Sequence, residues 1–103
     1  MPKFVFAYHG GQQPDSEEDM AKVMAAWQSW LGGMGDAVVD GGNPVGMSKT
    51  VSSKGIADNG GANPLSGYSL VKAGDIAAAT ELAKGCPILS SGGSVEVAEA
   101  MEM

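Results

Sequence analysis

The chain has 103 residues, 44% hydrophobic and 17% charged, with twelve acidic residues set against six lysines and no arginine, for a net charge of −6. That composition excludes a disordered segment and a membrane-spanning protein, and its acidity argues against nucleic acid and anionic membrane surfaces, both of which are held by basic side chains. A lone cysteine, Cys86, excludes an internal disulfide and any multi-cysteine zinc site.

Length predicts a single domain over 1–103. Residues Lys3 to His9 read as a strand with Phe4, Phe6 and Tyr8 on one side and Val5, Ala7 and His9 on the other. Both sides are apolar, the mark of a strand inside a sheet that is covered on both faces. The Gly10-Gly11-Gln12-Gln13-Pro14 segment breaks it. Asp15 or Ser16, with Glu18 or Asp19 three positions on, then offers a capping box, and Glu17, Glu18 and Asp19 suit the positive end of a helix dipole. Met20, Val23, Met24, Trp27, Trp30, Leu31 and Met34 recur at helical spacing, and Gly32, Gly33 and Gly35 are expected to end that helix.

Ala37-Val38-Val39 is a short extended piece before the turn-forming Gly41-Gly42-Asn43-Pro44. Two strand-like stretches, 47–52 and 55–58, flank a turn in which Gly55 supplies a positive φ. The turn-rich 58–64 segment reads as a surface loop, and Tyr68 to Ala73 as the next strand. Asp75 caps a second helix, Ile76 to Lys84, which Gly85 and Pro87 stop. After Ser90-Ser91-Gly92-Gly93, a last strand carries Val95, Val97, Ala98, Ala100 and Met101.

This order is an α+β, ferredoxin-like split βαβ: βαββαβ with an extra hairpin, two helices on one face of a mostly antiparallel sheet. Two helices cover one face only, and Val5 and Ala7 make the other face apolar as well. A second copy packed sheet to sheet is the economical cover, so a homodimer is expected. The start Met1-Pro2-Lys3-Phe4 lacks the apolar core of a signal peptide, which sets a cytoplasmic expectation.

Several pieces taken in order carry a family resemblance: Tyr8-His9-Gly10-Gly11, Val23 to Trp27 with Trp30, Gly35 to Pro44, Ser66-Gly67-Tyr68, Gly85-Cys86-Pro87, and Gly92 to Val97. As an ordered set spanning nearly the whole chain, they resemble the YCII-related family, also called DGPF-domain proteins. The resemblance implies the dimeric α/β barrel class. The family's name-giving Asp-Gly-Pro-Phe turn corresponds here to Asp58-Asn59-Gly60-Gly61. The enzyme-like branch is associated with a His-Asp pair whose histidine lies in the first helix region. This helix has no histidine, so that pair does not carry over.

His9, the only histidine, stands at a strand end beside glycines. It can serve as a general base or acid, or it can cap the strand by bonding backbone carbonyls. Asp36 and Asp40, which share a strand face, are the carboxylates able to orient it, and each suits a turn cap equally well. Trp27, Tyr68, Asn43 and Asp58 are candidates for shaping a ligand cleft between sheet and helices, with Lys49 and Lys72 as candidate cations. No metal-ligand spacing and no strand-to-helix phosphate loop occurs, so no metal or cofactor is expected. Cys86, just past a helix C-terminus, reads as an inert thiol, and Ser90 and Ser91 lack a nucleophile elbow. Three functions remain open: a homodimer that binds a small molecule or a partner in the cleft, a lyase or proton-transfer enzyme using His9 with Asp40 or Asp36, and a structural dimer with no ligand.

Overall fold

A computed structural model describes residues 1–11, 15–61 and 63–102. Gln12, Gln13 and Pro14 of the expected break, Ala62 of the expected loop, and Met103 lie outside those residues. Strand β1 (Lys3–His9) is followed by helix α1 (Glu17–Met34), β2 (Val38–Asp40), the hairpin β3 (Thr50–Ser52) and β4 (Gly55–Ala57), β5 (Leu65–Lys72), α2 (Ile76–Ala83) and β6 (Ser94–Ala100). Four strands form one sheet in the order β2-β5-β1-β6, with every pairing antiparallel, while β3 and β4 pair only with each other. The molecule is thus α+β with two helices and an antiparallel sheet, compatible with a ferredoxin-like fold.

The alternation of β1 is what places it at the centre. Phe4, Phe6 and Tyr8 are buried beneath the helices, whereas Val5, Ala7 and His9 on the opposite face are half-buried. Burying a large apolar side chain of this kind contributes about 2 to 3 kcal/mol. Trp27, Trp30 and Met34 of α1, with Ala79 and Ala83 of α2, close over the same residues. Both helices therefore cover one sheet face, and the other, lined by Val5 with its register partners Leu70 and Ala98, carries no helix.

Local chemistry explains most boundaries. Ser16 is the α1 N-cap, its hydroxyl accepting from the Asp19 amide at 3.1 Å, and the three acidic residues occupy the first turn. The helix runs through Gly32 and Gly33, which do not stop it, to Met34 at the end of the expected stripe, a residue that packs on the core. Gly35, at φ +54, ends it. Gly35–Ala37 then forms a 3₁₀ turn, so β2 begins at Val38 rather than Ala37. Asp75 caps α2 through the Ala78 amide at 2.8 Å. Pro87–Ser91, between the stop at Gly85 and the expected turn at 90–93, is a 3₁₀ turn that inserts Ile88 into the core and closes at Gly92, φ +82.

Strand β5 starts at Leu65, three residues before the expected Tyr68, because the chain at 43–45 pairs alongside it. The Val45 amide donates to the Ser66 carbonyl at 2.9 Å, and the Tyr68 amide to the Asn43 carbonyl at 3.3 Å. Gly42 makes this approach possible: it sits at φ +71, and a Cβ there would overlap the Tyr68 carbonyl. The β1–β5 register slips between Tyr8, opposite Gly67, and His9, opposite Leu65. Ser66 is the extra residue at that bulge, and its hydroxyl donates to the Gly10 carbonyl at 2.7 Å.

Candidate functional site

Three aromatic rings meet at the end of β1. Tyr8 and Trp27 pack edge to face with centroids 4.9 Å apart, and Trp27 and Trp30 do the same at 5.6 Å. Trp30 turns inward, stacks on Phe6 at 6.1 Å and donates its indole N–H to the Leu82 carbonyl at 3.0 Å. Trp27 has no such inward anchor, and it walls a cavity of about 350 Å³ between α1 and the sheet edge. Tyr8, Met24, Leu31 and Ile88 complete the apolar wall. Asn43, Gln28, Ser66 and the backbone at Gly41, Gly42 and Gly67 supply the polar part.

The floor is held by a hydrogen-bonded chain. The Tyr8 hydroxyl donates to Ser69 Oγ at 2.7 Å, and Ser69, wholly buried, donates onward to the Gly41 carbonyl at 2.7 Å. Each hydroxyl donates once, so the chain fixes its own direction. Burial pushes the Tyr8 phenol up to about 12, against the opposing pull of the Ser69 hydrogen bond and with a smaller upward push from Cys86. Tyr8 is therefore a neutral hydroxyl under ordinary conditions, engaged with Ser69 and unsuited to taking a ligand's proton.

The expected ligand residues divide. Trp27 and Asn43 line the cavity. Tyr68 stands on the open face opposite Ala7, outside the cavity lining, and its hydroxyl accepts from Asn43 Nδ2 at 3.3 Å. Asp58 is exposed in the loop after the hairpin and pairs with Lys49 at 3.5 Å, so two candidates for one ligand answer each other. Lys72 is exposed at the end of β5, opposite Lys3.

The expected acid–base residues are not brought together. His9 lies on the open face of the sheet, away from the cavity. Its Nδ1 is 3.0 Å from the Asn63 carbonyl oxygen and 3.3 Å from that of Pro64, and its Nε2 is 3.1 Å from Glu96 Oε1. Both ring nitrogens thus face acceptors, and neither faces the cavity. Asp40 caps the next turn, accepting from the Gly42 amide at 2.8 Å, and Asp36 is exposed in the 3₁₀ turn. The carboxylate that meets His9 is thus Glu96, reached across 87 residues by strand pairing.

Cys86 is buried, and burial pushes its thiol up to about 11 despite a hydrogen bond from the Ile88 backbone. Among the described residues no group of three or more His, Cys, Asp or Glu is placed to hold a metal, and no helix is long and apolar enough to cross a membrane.

Of the cavity's residues, the sequence singles out Trp27 and Asn43 and gives no cue to the roles of Leu31, Ile88 and Ser66, nor to Glu96 beside His9. Leu31 reads as a core residue of the α1 stripe. Ile88 and Ser66 carry no periodic signal, since one sits in a 3₁₀ turn and the other at a bulge. Compared with known proteins, the chain matches no family model and no curated protein.

Proposed function

We propose that this chain is a YCII-related homodimer that holds a small molecule in the cleft between α1 and the sheet without acting on it chemically. The observation that carries the binding role is the cavity of about 350 Å³, with Trp27 and Tyr8 in its wall and Gln28 and the glycine backbone at 41–42 beside them. Ligand sites commonly combine apolar walls with a few convergent polar groups in this way. The family assignment rests on the ordered motifs in the sequence, and the antiparallel sheet with its inserted hairpin agrees with the architecture they imply.

The dimer is supported by the shape of the protomer and the composition of its open face. The molecule measures 43 × 40 × 18 Å with a radius of gyration of 14.7 Å, against about 13 Å for a compact chain of this length. A slab of two layers leaves Val5, Leu70 and Ala98 uncovered on the sheet. In a sheet-to-sheet pairing those residues are buried while the α1 cleft, on the other side of the sheet, stays open in both copies.

Catalysis by His9 with Asp40 or Asp36 has less support, because none of the three lines the cavity. Screening a fragment library by amide NMR tests the binding role. Hits are expected to perturb Gly41, Gly42, Ser66 and Gly67 together. A screen whose hits avoid those residues, or that yields none, refutes the cleft as a binding site.

A further inference from the structure

Size, wall chemistry and charge at the α1 cleft together narrow what it accepts. An apolar cavity of about 150 Å³ takes a single benzene ring. The space here, about 350 Å³, has room for a fused pair of rings. The Trp27 and Tyr8 rings stand 78° apart, so a flat guest can lie along one face and meet the edge of the other.

Charge is the sharper criterion. Among the described residues, those lining the cavity include no Asp, Glu, Lys or His, and their one ionisable group, the Tyr8 phenol, is engaged with Ser69. The nearest carboxylates are not in the lining: Asp40 is exposed at the turn, accepting from the Gly42 amide, and Glu96 lies on the other side of the sheet. An ion entering this space would leave water with no counter-charge to meet it, and the net charge of −6 adds a penalty for anions. A neutral polar group fares differently. The Asn43 side-chain amide is held by Tyr68 on the open face, so the polar groups left to a guest are the Gln28 amide, exposed on α1, and the backbone of Gly41, Gly42, Asn43 and Gly67.

We infer that the cleft takes an uncharged, flat molecule of about two fused rings bearing one hydroxyl, carbonyl or amide, its ring system against Trp27 and Tyr8 and its polar group toward Gln28 and the backbone at 41–43. The inference rests on the binding role proposed above and adds the chemical class of the ligand. It selects against carboxylates, phosphates and amines of the same ring size.

The test uses three matched probes at about pH 7: naphthalen-2-ol, naphthalene-2-carboxylate and naphthalen-2-ylmethylammonium, each titrated into the full chain and followed by amide NMR and tryptophan fluorescence. Naphthalen-2-ol is expected to shift Gly41, Gly42 and Gly67 and to quench Trp27, with both ions binding at least about tenfold more weakly. Leu31→Trp, which fills the cavity from a half-buried helix position, is expected to abolish the shifts, and Met24→Trp at an exposed position serves the same purpose if that variant does not fold. If either ion binds as tightly as the alcohol, the neutral-ligand assignment is overturned while the cleft remains a binding site. The assignment also fails, alone, if fragments occupy the cleft but naphthalen-2-ol does not. If neither the probes nor any fragment perturbs these glycines, the binding role falls with it.

Discussion

Tyr8 ties the site to the core: its ring is buried against Trp27 and Trp30, and its hydroxyl starts the chain through Ser69 to Gly41. Tyr8→Phe removes one buried hydrogen bond and leaves Ser69 still donating to Gly41, so a loss of about 1 kcal/mol is expected in urea unfolding. The same residue gives the fold an alkaline limit. An unfolded chain releases the Cys86 and Tyr8 protons near their ordinary values of 9 and 10, whereas the folded chain holds them to about 11 and 12. Above about pH 9 the unfolded state binds fewer protons, so stability must fall as pH rises toward 12. Tyr8→Phe should flatten the upper part of that decline, and an unchanged slope would show that the phenol is not buried as described. At Gly42, where φ is +71 and a side chain would meet the Tyr68 carbonyl, Gly42→Ala is expected to cost at least about 2 kcal/mol and to disturb the Asn43 amide at the cleft. A variant as stable as the parent would mean that 41–44 does not lie against β5.

Among the elements, β1 and α1 are legible in the sequence because their patterns are strong and local. Phe4, Phe6 and Tyr8 alternate without interruption, and the α1 stripe begins at a capped Ser16 with acidic residues in the first turn. What stays hidden depends on partners distant in sequence. That α1 runs on through Gly32 and Gly33 is decided by Met34 docking on the core, and that β5 starts at Leu65 is decided by its pairing with 43–45. The cleft follows the same rule: Trp27 and Asn43 stand out as an aromatic on a stripe and an amide in a glycine turn, but Ile88 and Ser66 enter it only through a 3₁₀ insertion and a bulge. His9 likewise gives no hint of Glu96, since their meeting is a matter of β1–β6 register. The β3–β4 hairpin is the element least attached to the rest, pairing only with itself and exposing Val51 and Ile56 on its face. Ile56→Thr is therefore expected to change stability by less than about 0.5 kcal/mol by thermal unfolding. A larger loss would place the hairpin against another surface.

On the scale of the whole molecule, the two faces of one sheet differ. The helix-covered face holds the core and the cleft. The bare face carries Val5, Leu70 and Ala98, the surface on which the proposed dimer would form. The α+β layout with its hairpin can be read from the order of elements, and the bare face from the apolar residues on both sides of β1. How far the protomer is flattened cannot, because thickness is set by how helices dock and not by their spacing in the sequence. Sedimentation equilibrium on the chain and on Leu70→Glu, which puts a charge in the middle of the bare face, addresses the proposed dimer most directly. A particle of twice the 10.4 kDa chain mass is expected for the parent and a single chain for the variant, with naphthalen-2-ol still shifting Gly41 and Gly42 in both. A parent that sediments at 10.4 kDa even at millimolar concentration, or a variant that stays paired, would contradict the sheet-to-sheet dimer.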